Sequence, residues 1–141
     1  MNCGTPWELK KKVLPQHTDH AGVMWHGTYL NWLEESRIDS FEKTGITYTQ
    51  LLDRGFEMPV YKIEIKYLLP IMIGEEIIVK SYFITNKGPR IHVNSTFTNI
   101  NNKIHTVASI DIVLINKETF KVVRRIPDFL ENFLKNLRKG P

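Results

Sequence analysis

Residues 17–27 read His-Thr-Asp-His-Ala-Gly-Val-Met-Trp-His-Gly, and a helical pattern follows from Thr28 to Thr44. The segment places Asp19, several polar groups and two glycines in a loop that leads directly into a helix. The first N–H groups of a helix lack partners within it, and its dipole is positive there, so an anionic oxygen can bind. A carboxylate beside such donors is what acyl-transfer chemistry requires. This segment therefore predicts an acyl-transfer site.

The helix after the loop has one broad apolar face. Its members are Tyr29, Leu30, Trp32, Leu33 and Phe41. Ser36 and Ser40 fall within the same face, and such small side chains allow the helix axis to approach its neighbour closely. We expect Gly45 to end the helix as its C′ residue, with one short helical turn over 47–53 after it.

From Val60 the hydrophobic period changes from helical to two, which is typical of half-buried strands. Turn residues separate the further segments of this kind. The predicted strands are 8–14, 60–67, 75–85, 91–97, 104–115 and 120–123, the last closing a hairpin. A final amphipathic helix is predicted over 127–136, with Pro127 at its N1 position. The fold class is α+β, a long central helix wrapped by a curved antiparallel sheet of five to six strands.

Length and composition are those of one ordinary globular domain covering 1–141: 141 residues, 42% hydrophobic and 24% charged. The single cysteine, Cys3, excludes an intramolecular disulfide and fits a reducing compartment. Its place in a polar tail argues against a catalytic role. With no apolar segment typical of secretion or membrane spanning, we expect a cytoplasmic protein with no membrane partner.

The net charge of +4 comes largely from lysines and arginines near the two ends of the chain. Solvated ends explain such runs better than a nucleic-acid site does, since aromatic and basic residues do not interleave along a strand. A nucleic-acid-binding domain is therefore the least favoured function. A modest positive charge also suits a phosphate-bearing substrate such as a coenzyme A ester.

Five blocks of sequence resemble the hotdog-fold acyl-CoA thioesterases, in particular the branch of 4-hydroxybenzoyl-CoA thioesterase and the YbgC-like enzymes. The blocks are Thr18-Asp19-x-x-Gly22-Val23-Met24-Trp25-His26, Tyr29-Leu30-x-Trp32-Leu33-Glu34-Glu35-Ser36-Arg37, Met58-Pro59-Val60, Lys66-Tyr67-Leu68-Leu69-Pro70 and Gly74-Glu75-Glu76. Their order and spacing cover nearly the whole chain. Two positions depart from the family pattern: His17 stands where a second acid is common, and Leu69 where a basic residue is common.

The resemblance implies a dimer whose sheets join edge to edge, with active sites at the subunit interface. It implies that Asp19 is the catalytic carboxylate, as nucleophile or general base, and that the backbone N–H of His26 or Gly27 holds the carbonyl oxygen. The neighbouring subunit would contribute the segment 58–60. The substrate-binding candidates are His17, Val23, Trp25, Tyr29, Met58, Pro59 and Val60.

Alternative assignments of these residues stay open beside this one. Asp19 could serve only as a turn or capping residue, and the side chain of His26 could touch the thioester or simply start the helix. The spacing of His17, His20 and His26 does not favour a metal site, and we expect no cofactor. Glu34 could pair with Arg37, while Glu35 falls on the polar side of the helix.

Three functions remain to be distinguished. The favoured one is an acyl-CoA thioesterase that acts as a homodimer or a dimer of dimers. Thioesters of acyl carrier protein are the nearest alternative substrates, because both donors share the phosphopantetheine arm. A non-catalytic hotdog module that binds acyl-CoA is the alternative from a different class. Lys87 and Arg90, which flank a turn, are candidate contacts for coenzyme phosphates.

Overall fold

The computed structural model describes residues 4–86 and 88–141. Five antiparallel strands form the main sheet in the order β1-β4-β5-β6-β3, and two short strands form a second sheet. The strands are β1 (Trp7–Lys12), β2 (Phe56–Glu57), β3 (Val60–Tyr67), β4 (Glu76–Thr85), β5 (Arg90–Thr98), β6 (Ile104–Val113) and β7 (Ile115–Asn116). The helices are α1 (His26–Lys43), α2 (Tyr48–Asp53) and α3 (Asp128–Lys139), with a 3-10 turn at Pro15–His17. The predicted α+β hotdog architecture is confirmed.

Helix α1 packs on one face of the main sheet, called here the inner face, through small side chains as predicted. The Oγ of Ser36 lies 3.2 Å from that of Ser81 on β4, which lies 2.7 Å from that of Ser95 on β5. The Ser40 hydroxyl is buried and donates to the backbone oxygen of Ser36 at 2.7 Å. The hydroxyls of Ser36, Ser81 and Ser95 thus form one chain of hydrogen bonds where the helix crosses the sheet, so none of the three is left unsatisfied.

One member of the predicted apolar face was wrong. Leu30 is 44% exposed, whereas Tyr29, Trp32, Leu33 and Phe41 are buried. A position one residue beyond Tyr29 lies about 100° further around a helix, which carries Leu30 past the edge of the buried face.

Several predicted boundaries moved by one to three residues. Helix α1 starts at His26 rather than Thr28, because Trp25 is its N-cap and the next two residues already form the first turn. Pro127 is the N-cap of α3 and not its N1 residue. Such shifts are expected, since propensity does not fix the ends of helices.

The predicted hairpin closing over 120–123 forms, but its second arm is not a regular strand. Ile115 and Val122 form a single antiparallel bridge, and the backbone N–H groups of Asn116 and Val123 donate to the carbonyls of Lys121 and Leu114 at 2.9 and 3.0 Å. The short strand Ile115–Asn116 also pairs with Phe56–Glu57. The Oδ1 of Asn116 accepts hydrogen bonds from the backbone N–H groups of Glu118 and Thr119. Phe120 then has φ 59°, a left-handed conformation that interrupts strand pairing.

Strand β3 forms one edge of the main sheet, and several of its apolar side chains are exposed to solvent. Its residues Val60, Ile63 and Tyr67 are 40%, 40% and 54% exposed, and Leu68, just beyond the strand, is 56% exposed. The other face of β3 carries Lys62, Glu64 and Lys66. The opposite edge, β1, carries Lys10 and Lys12 and has no exposed large apolar side chain among its described residues. Charged residues on an edge discourage further pairing, while an apolar edge permits it. Among the described helices, none is long and apolar enough to cross a membrane.

Candidate active site

Asp19 lies on the surface in the loop before α1, where its own backbone neighbours fix its carboxylate. Its Oδ1 accepts hydrogen bonds from the backbone N–H of Ala21 at 2.8 Å and of Val23 at 3.1 Å. Its backbone N–H donates to the carbonyl of Val23 at 2.8 Å, which closes the loop. Both side-chain bonds use Oδ1, so the ordered carboxylate keeps Oδ2 for a further partner.

Backbone hydrogen bonds tie this loop to the segment before β4 and to the start of α1. Met24 N–H donates to the carbonyl of Ile71, and Ile73 N–H donates to that of Gly22, both at 2.8 Å. The carbonyl of His17 accepts from Trp25 N–H at 3.2 Å and from the Thr28 hydroxyl at 2.9 Å. Asp19 and the helix start are therefore held in one rigid unit.

The His17 side chain helps to hold this loop. Its Nδ1 accepts a hydrogen bond from the backbone N–H of Leu14 at 3.0 Å, which leaves the ring proton on Nε2 in the neutral form. Its ring meets the Trp32 ring edge to face, with centroids 5.3 Å apart. These contacts give His17 a structural role in the loop; its predicted contact with substrate stays a prediction.

Trp25 stands at the N-terminus of α1 and covers its first turn. This N-cap residue makes no side-chain hydrogen bond to the first turn. Its ring lies against Gly27, where a Cβ atom would come within 2.3 Å of it, and meets His26 edge to face at 4.9 Å. Trp25 is 44% exposed, so it is not a core residue, and its predicted contact with substrate stays a prediction.

A cavity of about 410 Å³ opens beside the first turn of α1. It is lined by Val23, Met24, His26, Tyr29, Tyr67, Leu68, Leu69 and Pro70. The structure thus brings together three of the predicted site residues, Val23, His26 and Tyr29. Asp19, His17 and Trp25 do not line the cavity. Asp19 and Trp25 belong to the loop that also contributes Val23 and Met24 to its wall. Its mostly apolar walls suit an acyl group.

The segment 67–70 was missed as part of the site. It belongs to one of the sequence blocks above, but none of its residues was among the predicted site residues. The backbone N–H groups of Leu68 and Leu69 both donate to the carbonyl of His105, at 3.0 and 2.9 Å. The His105 ring, through Nδ1, donates to the carbonyl of Pro70 at 3.0 Å. These bonds turn the chain out of β3 and across the cavity.

Tyr29 is the most buried polar side chain in the cavity wall. Its ring meets the rings of Tyr67 and Phe97 at centroid distances of 4.9 and 5.2 Å. Burial raises the pKa of its phenol above the ordinary 10.0, and the hydroxyl of Thr106 opposes part of that shift. Tyr29 is therefore a neutral phenol at physiological pH, able to donate one hydrogen bond.

Residues 58–60 lie away from this cavity within one chain. Met58 is 1% exposed, and its carbonyl accepts a hydrogen bond from Nη1 of Arg37 at 2.7 Å. Arg37 is itself buried and forms an ion pair with Glu34, as predicted. Pro59 and Val60 follow at the corner where β3 begins. A single chain does not bring Met58, Pro59 and Val60 to Asp19.

The two helical glutamates and the basic turn residues lie outside the cavity. Glu35 is exposed and pairs with Lys11 at 3.0 Å, which agrees with its predicted solvent-facing position. The Arg90 guanidinium lies over the Tyr61 ring, 5.2 Å from its centroid, a cation–π contact. Lys87 falls outside the described residues, so the pair's predicted contact with coenzyme phosphates stays a prediction.

Comparison with known proteins gives consistent matches along most of the chain. A 1,4-dihydroxy-2-naphthoyl-CoA hydrolase of Prochlorococcus marinus is 27% identical, covering 90% of this chain and 87% of its own. The chloroplastic acyl-acyl carrier protein thioesterase ATL3 of Arabidopsis thaliana is 21% identical, over 94% and 70%. The structure of a DHNA-CoA thioesterase from Staphylococcus aureus superposes with a TM-score of 0.82 at 26% identity, over 92% and 89%. The profile of the thioesterase-like superfamily matches residues 13–137. Since that match covers most of the chain and the fold agrees with it, this protein belongs to the thioesterase-like superfamily and is a thioester hydrolase.

Proposed function

We propose that the chain hydrolyses acyl-CoA thioesters to a free carboxylic acid and CoA, with Asp19 as the catalytic carboxylate. The observation that carries the proposal is the pair of backbone hydrogen bonds to its Oδ1, which order a surface carboxylate in the loop that leads into α1. This proposal places the chain in the branch that uses a loop aspartate.

Two chemical routes are compatible with this arrangement. As a nucleophile, Asp19 attacks the thioester carbon, CoA leaves as the thiolate, and water hydrolyses the resulting anhydride. As a general base, it takes a proton from water, which attacks the same carbon directly. In both routes, negative charge develops on the carbonyl oxygen. The backbone N–H groups of His26 and Gly27, at the positive end of α1, would hold that oxygen.

The acyl group would occupy the cavity beside Tyr29, with Val23 and the exposed Trp25 ring along the path from Asp19. This placement follows from the cavity's opening at the first turn of α1 and from its apolar lining. The His26 side chain, at the mouth, would contact the thioester.

A second copy of the chain would complete the site. The apolar edge strand β3 offers unpaired backbone groups and exposed side chains, and pairing with the same strand of a second copy would cover both. Such a pairing would carry the partner's corner at 58–60 toward the site, the role proposed for Met58, Pro59 and Val60. A homodimer, or a dimer of dimers, is the expected state.

A thioester panel tests this function. Purified protein is incubated with aromatic and aliphatic acyl-CoA esters, and with the same acyl groups on acyl carrier protein, while thiol release is followed. Release from the CoA esters that Asp19→Asn abolishes supports the proposal. Faster release from acyl carrier protein would make that protein the donor. Binding of several esters without turnover would instead favour an acyl-CoA-binding module.

A further inference from the structure

Four polar side chains form a hydrogen-bonded cluster on the outer face of the main sheet, the face opposite α1. His92 and Asn94 lie on β5, and Ser109 and Asp111 lie on β6. In the strand register His92 is directly opposite Asp111, and Asn94 is directly opposite Ser109. All four are partly buried and alternate along their strands with the buried residues of the inner face. Strand pairing therefore brings the four side chains together away from the cavity beside α1.

The His92 ring is the centre of this cluster. Its Nδ1 lies 2.5 Å from Oδ1 of Asp111, and its Nε2 lies 3.2 Å from Oγ of Ser109. A carboxylate can only accept a hydrogen bond, so Nδ1 carries the proton that it donates to Asp111. In the neutral ring Nε2 is then an acceptor, and the Ser109 hydroxyl can donate to it. Oδ1 of Asn94, 2.9 Å from Nε2, can accept the second ring proton once His92 becomes charged.

These contacts place a hydroxyl, an imidazole and a carboxylate in the order that activates a serine as a nucleophile. His92 is positioned to take the Ser109 proton as a general base. Asp111 holds the ring in the tautomer that this transfer requires and stabilises the imidazolium that results. Such triads are identified by the geometry and roles of their members, whatever the order of those residues along the chain.

A small cavity of about 180 Å³ opens beside Ser109. Lys66 and Glu64 on β3 line it together with Asn94 and Val107. Because β6 is a central strand, the backbone N–H groups around Ser109 pair with β5 and β3 and do not form an oxyanion hole. Lys66 brings a positive charge for a developing oxyanion, and Glu64, directly opposite Ser109, opposes it. This modest support restricts the reaction to esters with a good leaving group, and the volume restricts it to short acyl groups.

We propose that Ser109, with His92 and Asp111, is a second nucleophilic site that hydrolyses aryl esters of short carboxylic acids independently of Asp19. Oγ attacks the ester carbonyl carbon while its proton passes to Nε2 of His92. The bond from that carbon to the phenolic oxygen breaks, and the phenol leaves with the proton. Water then attacks the acyl-serine by the same route, which releases the carboxylic acid and restores Ser109. This activity is separate from thioester hydrolysis and does not rest on the proposed function.

Covalent labelling tests the site without any variant. The protein is incubated with a fluorophosphonate probe, and the modified residue is identified by peptide mass spectrometry. We expect the phosphonyl group on Ser109, at the same rate in the wild type and in Asp19→Asn. His92→Gln and Asp111→Asn should each slow labelling by about tenfold or more, because the first removes the base and the second no longer fixes the ring tautomer.

Hydrolysis of p-nitrophenyl acetate gives the second readout. Ser109→Ala should lower nitrophenol release by about tenfold or more, in the wild type and equally in the Asp19→Asn background. Thr96→Val is the matched control, since Thr96 lies on the same face of β5 but opposite Val107, outside the cluster. It should keep the wild-type rates of labelling and release.

Four results would overturn the inference. The first is a wild-type protein in which Ser109 is not modified, and the second is an equal labelling rate in His92→Gln; either would show that the cluster is only a hydrogen-bond network. Nitrophenol release that persists in Ser109→Ala would assign ester hydrolysis to another group. Loss of Ser109 labelling in Asp19→Asn would show that the two sites are not independent.

Discussion

The ring of Trp25 occupies the space that a side chain at Gly27 would need: a Cβ there would lie 2.3 Å from the ring. The two residues belong to the N-cap and the first turn of α1, where the proposed oxyanion donors are. The absence of a side chain at Gly27 thus leaves the room that the indole occupies. Because the ring is 44% exposed, it can move away without disturbing the core.

Gly27→Ala should therefore act through Trp25. We expect the indole to be displaced toward solvent, and kcat/KM to fall about tenfold if the ring forms a wall of the site. Trp25→Ala should cost a similar factor, and the double variant should cost no more than either single change, since both remove the same contact. Thiol-release kinetics and tryptophan fluorescence measure the two effects. Fully additive losses would contradict this coupling.

Asp19→Asn should lower kcat by about 10²- to 10⁴-fold, because the amide can neither attack the carbonyl nor take a proton from water. Its oxygen can still accept the two backbone hydrogen bonds that Oδ1 accepts now, so thermal stability and substrate binding should change little. Stopped thiol-release assays and thermal melts measure both quantities.

Glu35→Gln is the matched control for that change, since Glu35 is exposed and pairs with Lys11. It should leave kcat within a small factor of the wild type. If Asp19→Asn stays near wild-type activity while Glu34→Gln or Glu35→Gln abolishes it, the catalytic carboxylate lies on the helix instead.

Ile63→Lys should weaken the proposed dimer. Ile63 lies on the inner face of the edge strand β3, where a charge opposes burial against a second copy. Sedimentation velocity should show a shift toward the monomer, and the activity per chain should then rise with protein concentration. Glu64→Lys puts the same side chain on the opposite face of the strand and should leave the assembly unchanged. A monomeric wild type with full activity would refute the shared site.

The sequence predicted helices and strands best where a regular hydrophobic period ended at a glycine or another residue that terminates the element. The alternation over 60–67 predicted β3 with its correct ends, and Gly45, with φ +100°, follows α1 as expected. Ser36 and Ser40 pointed correctly to a close helix–sheet contact, because two small side chains within an otherwise bulky apolar face leave room for the neighbouring sheet.

The same local patterns could not predict which strands pair when the strands lie far apart in the sequence. Nothing in two residues such as Phe56–Glu57 marks them as a strand, and their partner, 115–116, lies far along the chain. The cavity wall at 67–70 depends on the carbonyl of His105 and on its ring, contacts that exist only once β6 lies beside β3. For the site, the sequence could indicate the loop and the helix start, but not the cavity wall formed by residues 67–70.

Arg37 offers a test of what holds the corner before β3. Its Nη1 donates to the carbonyl of Met58 at 2.7 Å from a buried position. Arg37→Met should lower the free energy of unfolding by about 2–4 kcal/mol, since a buried acceptor loses a charged donor. Arg37→Lys should recover little, because an ammonium cannot reproduce the guanidinium's two-sided contact with Met58 and Glu34.

The urea midpoint measures these changes. Lys43→Ala removes the ion pair with Asp39 on the surface of the same helix, and such exposed pairs contribute about 1 kcal/mol or less. A loss no larger for Arg37→Met than for Lys43→Ala would show that the Met58 contact contributes little to stability.

The raised pKa of Tyr29 predicts how stability depends on alkaline pH. Burial is the main cause of the shift and favours the neutral phenol in the folded state. The unfolded chain releases this proton near its ordinary pKa of 10.0, so the stabilising contribution is full below that pH. It is lost as pH rises through the higher pKa of the folded state. Tyr29→Phe should therefore flatten the fall in urea midpoint above about pH 10.

Tyr48→Phe is the comparison variant for this pH dependence. Burial and the hydrogen bond to Glu57 also raise the pKa of Tyr48. The Tyr48 phenol should therefore account for part of the fall in urea midpoint with rising pH that the Tyr29→Phe variant still shows. The urea midpoints of the wild type and both variants, measured across the same pH range, separate the two contributions. An equal slope for the wild type and Tyr29→Phe would contradict this prediction. It would mean that the Tyr29 phenol is as well solvated in the folded protein as in the unfolded chain.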